Sequence, residues 1–475
     1  MNKNLPEIFA AVENRVNHLG QSWQKFSQEI SQYLPETYQP EIQEISTQLA
    51  KATEKLLNEL HHPTLAIATT GTTSSGKSTL VNLLCGAEIA PVAVSEMSAG
   101  VVTIEYSLEK SLVIQQTPGA TWECGEWQGI SETEICQRLN RVMTSYLDRK
   151  QSDPQIACPI SLIRYPFRLQ SQLQLPPGTK VKIMDLPGLA YVGDEGNANL
   201  IRQCREALCL VTYNSAETDP KKINSLLQEV VEQVKELGGS PARMLFVLNR
   251  IDVFRADNHW PESQRGFIEK TTAKIKTELK DRLREYTQEI EHLQVSKLSS
   301  WPALLALQIQ SDNLNDSNQA CKKADNHFNA LIEEVLEDLP RKQEKWSEHD
   351  RQRVADALWE KSYAAEFEQH LREHITQHFP QLVIPQLLDQ FKTTAGNTIQ
   401  EWAIQTSSAI LNSSEARYQQ EIENLKHIKI YVKEFIENSG KQLRNSFNNL
   451  EEKIKHCLNK KKNQNSEIVP ENTIS

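Results

Sequence analysis

The sequence predicts an α/β fold: a mostly parallel sheet flanked by an α-helical bundle drawn from both ends of the chain. Three observations predict it. A short apolar, β-branched run, Thr64 to Thr70, leads into a glycine-bounded loop and then into the helix-compatible Ser78 to Leu84, with Gly86 placed to end the helix. Further on, the apolar runs Leu208–Tyr213 and Met244–Leu248 enclose a helical pattern of Ile223, Leu226, Leu227, Val230, Val231 and Val234. A strand, helix and strand in succession imply parallel pairing with a right-handed crossover. Finally, helical spacing of apolar residues recurs near both termini, without enough of them at either end to form a core alone.

The chain has 475 residues, enough for two or three domains. Its hydrophobic share of 39% and net charge of −10 describe a folded, acidic protein. That charge argues against a general nucleic-acid binder, which would be basic. The eight cysteines form no C-x-x-C pair and no Cys/His cluster, which points to reduced thiols in a cytoplasm-like compartment. No apolar leader is read at the N-terminus, and no apolar run is long enough to span a bilayer, so membrane contact is expected to be peripheral.

Residues 1–62 read as helices, with Ile8, Val12, Val16 and Leu19 on one face and Ile42, Ile45, Leu49, Leu56, Leu57 and Leu60 after a break at Pro35 and Pro40. They need a helical partner elsewhere. The stretch Gly71-Thr72-Thr73-Ser74-Ser75-Gly76-Lys77-Ser78, followed by Thr79, reads G-x-x-x-x-G-K-S, a loop that cradles a nucleoside triphosphate. Its glycines let consecutive amides turn toward phosphate oxygens, and the following helix adds its positive end. Lys77 would reach the β- and γ-phosphates, and the Ser78 hydroxyl would ligate Mg²⁺. A small-residue loop over 87–100 then enters a strand, Val101–Tyr106. A switch loop in this place would give Mg²⁺ a hydroxyl, from Ser98 first and Ser95 second.

A long excursion over 107–180 holds a helix, Glu132–Leu147, and a strand, Ile160–Tyr165. The next strand, Lys180–Met184, ends in Asp185-Leu186-Pro187-Gly188, a D-x-x-G at the carboxyl end of a strand, where open α/β sheets bind ligands. Asp185 would hold the metal directly or through a water. The Gly188 amide would sense the γ-phosphate, with Leu189–Asn199 as the segment that responds. The strand over 244–248 runs into Asn249-Arg250-Ile251-Asp252. The Asp252 carboxylate can accept from guanine N1–H and the exocyclic amine, a donor pair that adenine lacks. Asn249 would tie this loop to the phosphate loop, and the Arg250 stem would lie on the base. A third base contact is expected after one more strand, over Leu293–Ser300, from Ser299, Ser300 or Ser296-Lys297.

Beyond residue 303 the chain is polar and helical. A loop is expected over Asp312–Ala320, an acidic helix over Leu331–Leu339, and a long helix over Asp350–Phe379. The pattern is then interrupted by Pro380 and Pro385 as a hinge, with a lipid-dipping tip as the sharper alternative. A last helix carries Ile422, Leu425, Ile428, Val432, Phe435, Leu443, Phe447 and Leu450, an apolar stripe suited to the N-terminal helices. After it come Lys460-Lys461-Lys462 and a polar tail.

Taken together, Gly71–Ser78, the run Ala87–Val92 into Ser98–Thr103, Asp185–Leu189, Asn249–Asp252 and Phe379–Pro385 resemble the dynamin-like GTPases, specifically the bacterial ones. The motifs cover about 63–300 and the flanking helices fit the family's neck and stalk only in kind. Thr73 stands where the family often carries glutamine, and Ser98 where it usually carries threonine; Ser74 matches the family's serine. The resemblance implies domains over 1–62 (neck and stalk), 63–310 (GTPase), 311–390 (extension and hinge), 391–460 (stalk) and 461–475 (tail). It implies GTP and Mg²⁺ as ligands, Lys77, Ser74, Ser98 and Gly188 as the catalytic set, and catalysis by positioning. It also implies homo-oligomers formed through GTPase domains and stalk, on an anionic membrane at its cytoplasmic face. An alternative is a GTP-gated switch for a protein or ribosomal partner, with no membrane work; an ATPase is a third reading.

Overall fold

The computed structural model describes residues 5–32, 39–71, 74–92, 100–153, 155–185, 207–217, 219–237, 240–411, 422–423, 426–434 and 437. Among them, nine strands form one sheet in the order β4-β3-β5-β2-β6-β1-β7-β8-β9. The strands are β1 Thr64–Gly71, β2 Val101–Tyr106, β3 Ser111–Ile114, β4 Gly125–Gln128, β5 Ile160–Tyr165, β6 Lys180–Asp185, β7 Ala207–Asn214, β8 Met244–Asn249 and β9 Val295–Leu298. The block β6-β1-β7-β8-β9 is parallel throughout. β2 runs antiparallel to β6 and parallel to β5, and β3 and β4 extend that edge antiparallel. β3 and β4 escape sequence reading because each is four residues long, too short for a period-2 signal.

β7 and β8 are near-continuous apolar runs because both of their faces are covered. All eight positions of β7 and all six of β8 are buried. Helices α1 Leu5–Ser31, α2 Gln39–His61, α3 Lys77–Cys85, α4 Glu132–Ser152, α5 Leu169–Gln172, α6 Pro220–Leu237 and α7 Glu262–Arg282 follow in chain order, then α8 Thr287–Glu291, α9 Ser300–Ile309, α10 Leu314–Leu336, α11 Glu348–Lys361 and α12 Ala364–Leu411. Ile223, Leu226, Leu227 and Val230 of α6 share one apolar cluster with Val211 of β7, Phe246 of β8 and Ile275 and Leu279 of α7. α7 eludes sequence reading because its buried face is only Gln264, Thr271, Ile275 and Leu279, a narrow stripe in a polar helix.

Three expectations are corrected. Residues 314–320 are not loop but the first turns of α10: the Asn313 side chain accepts from the Asn315 amide as an N-cap, and small residues (Ser317, Ala320, Cys321, Ala324) pack its inner face. That face joins α9 and α11 through Leu305, Ala306, Ile309 and Leu358. The helix expected over 350–379 is two, α11 and α12, parted at Ser362 and Tyr363, where Tyr363 takes a left-handed φ of 61°. Pro380 and Pro385 do not interrupt the helix; both lie inside α12. Each proline removes one backbone donor and crowds one carbonyl, and the buried Phe379, Leu382 and Ile384 keep the chain helical past them. The expected last helix over 422–457 lies mostly outside the described residues.

The chain divides into two compact units. One comprises 64–173 and 180–379 and holds the whole sheet; the other comprises 1–63, 174–179 and 380–475. In the second unit, α1 buries Ile8, Val16 and Phe26 and α2 buries Ile42, Ile45, Leu49, Leu56 and Leu60, and the two helices pack together. Pro40 sits in the first turn of α2, where a missing N–H costs nothing.

Candidate functional site

The carboxyl ends of β1, β6, β7 and β8 meet around the loop 71–78. Gly71 pairs with Thr212 of β7, and a Cβ on Gly71 would stand 2.2 Å from the Thr212 carbonyl oxygen. Only glycine lets β1 end this close to its neighbour. Gly76, at φ 84°, begins α3, and a Cβ there would stand 2.3 Å from Asn249 Nδ2. Ser74 also takes a left-handed φ of 59° and is exposed. Thr72 and Thr73 lie outside the described residues, as do Ser98, Gly188 and the 189–199 segment.

Inside this turn, polar side chains satisfy one another. Ser75 Oγ lies 2.6 Å from Thr212 Oγ1, and Thr212 Oγ1 donates to the Thr70 carbonyl at 3.0 Å. A hydroxyl has one proton, so Ser75 is the donor of the first bond. Lys77, 7% exposed, donates from Nζ to the Gly71 carbonyl at 3.1 Å. Thr79 is buried on the same helix. α3 closes at Gly86, whose N–H returns to the carbonyls of Asn82 and Leu83.

Ser78 Oγ donates to Asp185 Oδ2 at 2.8 Å, and Thr69 Oγ1 donates to Asp185 Oδ1 at 3.2 Å. Burial pushes the Asp185 carboxyl above the usual range, against the pull of the Ser78 hydroxyl, the Lys77 ammonium and the Thr69 hydroxyl. A divalent cation here would favour the charged carboxylate. The donor set, one hydroxyl beside one carboxylate, suits Mg²⁺, a hard cation that takes few protein ligands and completes its shell with water and phosphate oxygens. Among the described residues there is no cluster of three or more His, Cys, Asp or Glu able to cage a metal.

The base end is built differently. Asn249, 1% exposed, donates from Nδ2 to the Ser75 carbonyl at 2.7 Å and accepts at Oδ1 from the Ser300 amide at 3.0 Å. One side chain thus joins the phosphate loop, β8 and the start of α9. Arg250 is exposed and left-handed, at φ 61° and ψ 36°. The Asp252 amide donates to Ser299 Oγ at 2.9 Å, with Ser299 fully buried. Among the described residues the Asp252 carboxylate accepts no hydrogen bond, so both its oxygens remain for a ligand's donor pair. Of the alternatives for a third base contact, Ser299 and Ser300 lie beside Asp252 and Asn249. Ser296 and Lys297 are engaged with α12 instead, through His370 at 3.0 Å and Glu366 at 3.2 Å.

Asn82 is a positioning residue that the pattern of α3 conceals. It is fully buried, donates to the Ala90 carbonyl at 2.9 Å, and accepts at Oδ1 from the amides of Ile89 and Ala90 at 3.0 and 2.8 Å. It therefore fixes the entry to the loop that carries Ser95 and Ser98. Thr69 and Thr212 were equally hidden, since a threonine in a strand passes for ordinary β-propensity.

Residues 67–251 match the family model described as the Dynamin family. That span runs from β1 through Asp185 to Ile251. Among solved structures, a bacterial dynamin pair, described as oligomerised and as sensing and tethering membranes over long range, is 16% identical. The match covers 86% of this chain and 53% of that one, with a TM-score of 0.35. LeoA, a bacterial dynamin GTPase from ETEC, is 13% identical over 92% of this chain and 67% of its own, at TM-score 0.33. Toc33 from Arabidopsis thaliana, in complex with Mg²⁺ and GMPPNP, is 13% identical over 72% and 98%, at TM-score 0.29. The chain thus spans about half the length of the first of these. No curated protein matches the sequence.

Proposed function

We propose that this chain, whose GTPase domain belongs to the dynamin family, couples Mg²⁺-dependent GTP hydrolysis to self-assembly and to peripheral binding and remodelling of an anionic membrane. One observation carries the proposal. The family-matched segment, 67–251, lies in one compact unit except for 174–179, and those residues join both chain ends, 1–63 and 380–475, in the other. A nucleotide engine and a body built from two distant stretches of chain are the two parts such coupling needs.

In this reading, Lys77 and the loop amides hold the β- and γ-phosphates and stabilise the charge that develops as water attacks. Ser78 and Asp185, with Ser98, would hold Mg²⁺, which neutralises phosphate charge and orients the γ-phosphate. The Gly188 amide would report whether the γ-phosphate is present. Asp252 reads guanine, and Asn249 keeps the base loop in register with the phosphate loop. No side chain is assigned as a strong general base, so the rate comes from positioning. The neck and stalk would be residues 1–62 and 391–460, with assembly through GTPase domains and stalk at the cytoplasmic face of a membrane.

The membrane half is tested by floating the full chain with anionic liposomes in the presence of GDP or a non-hydrolysable GTP analogue. Lipid binding that depends on the GTP analogue is expected. Binding under neither nucleotide would contradict the membrane reading and favour the GTP-gated switch.

A further inference from the structure

We infer that Thr69 is a positioning residue for the metal: its hydroxyl fixes the Asp185 carboxylate in the orientation that Mg²⁺ binding requires. The inference rests on the reading that Ser78 and Asp185 hold Mg²⁺ and concerns a residue outside the phosphate-loop and D-x-x-G motifs.

Thr69 and Asp185 are register partners in the parallel pair β1 and β6, so their side chains leave the sheet on the same face. The Ser78 hydroxyl reaches the same carboxylate from α3. The two bonds divide the carboxylate between them: Oδ2 accepts from Ser78 and Oδ1 from Thr69. With both oxygens held, the group cannot rotate about its last bond, and its remaining lone pairs keep a constant direction.

The Thr69 hydroxyl also lies 3.3 Å from the Met184 carbonyl, so its own burial, at 0% exposure, could be satisfied without Asp185. One proton cannot serve both acceptors fully, and the charged carboxylate is the stronger of the two. Valine would serve the strand and the core as well as threonine does, being β-branched and of similar size. The hydroxyl's contribution is therefore the bond to Asp185. Outer-shell partners of this kind tune metal affinity without touching the metal.

The experiment uses the purified full chain loaded with a fluorescent GDP and follows its retention as Mg²⁺ is titrated. Thr69→Val should need about 10- to 100-fold more Mg²⁺ for half-maximal retention, the range for loss of an outer-shell partner. Its affinity for GDP in EDTA should equal that of the parent, because the phosphate loop and base loop are untouched. Thr69→Ser should restore the parent's Mg²⁺ requirement. If Thr69→Val does not fold, Thr69→Ala removes the same donor and is read in the same way. An unchanged Mg²⁺ requirement in the donor-less variant overturns the inference. So does an equal loss of GDP affinity with and without metal, which marks a merely structural role, and so does failure of Thr69→Ser to restore. A parent chain whose GDP retention ignores Mg²⁺ overturns the magnesium reading itself, and this inference with it.

Discussion

The two ends of the candidate nucleotide site are held by different means. At the phosphate end bonds between side chains predominate, Ser78 and Thr69 with Asp185 and Ser75 with Thr212, beside the backbone bonds of Lys77 to the Gly71 carbonyl and Thr212 to the Thr70 carbonyl. At the base end the bonds go to backbone, Asn249 to Ser75 and Ser300 and Ser299 to the Asp252 amide, and among the described residues the Asp252 carboxylate accepts no hydrogen bond. The difference follows from what each end recognises. A phosphate with its metal brings strong charge and can replace weaker internal partners by exchange. A base brings two modest donors, and discrimination depends on an acceptor that has no better partner.

The largest effect should therefore come from the base end. Asp252→Asn converts an acceptor pair into a mixed donor and acceptor, and base preference should move from guanine to xanthine by on the order of 10⁴, read as the ratio of kcat/KM for the two triphosphates. A variant that keeps its preference for GTP would break the comparison there. Next, Lys77→Ala should lower GTP turnover by about 100- to 1000-fold, the range for losing one group that meets developing charge. Base preference should not change, and a change in it would show that the two ends are not separate.

Asn249→Leu attacks the joint between the ends. It leaves the Ser75 carbonyl and the Ser300 amide buried without partners, at about 1–3 kcal/mol each. Urea unfolding of the nucleotide-free chain should show the loss, and GTP affinity should fall as well. The smallest change is expected for Thr212→Val, which breaks the Ser75–Thr212–Thr70 relay. About 1 kcal/mol of stability should go, visible as a lowered Tm, with Asp252-dependent selectivity intact.

Much of this site could be read from residue order. Gly71, Gly76, Lys77 and Ser78 sit at fixed spacing because backbone geometry demands it, and Asp185 and Asn249 follow buried strands whose apolar runs mark their ends. Asp252 stands out because reading guanine at that place would require a carboxylate. Thr69, Thr212 and Asn82 are not legible, because their roles depend on partners brought together by the sheet or by the turn after α3. Thr69 meets Asp185 across 116 positions of chain, and Thr212 meets Ser75 across 137. Pattern also failed where local preference lost to packing. Pro380 and Pro385 look like a stop, yet a helix buried on both sides of them carries through.

The central claim, that hydrolysis is coupled to self-assembly on a membrane, is met most directly by one series. The specific GTPase activity of the full chain is measured across a range of protein concentrations, with and without anionic liposomes. The account predicts activity per molecule that climbs with concentration and climbs further with lipid. A specific activity that stays flat across the series, lipid included, would contradict it.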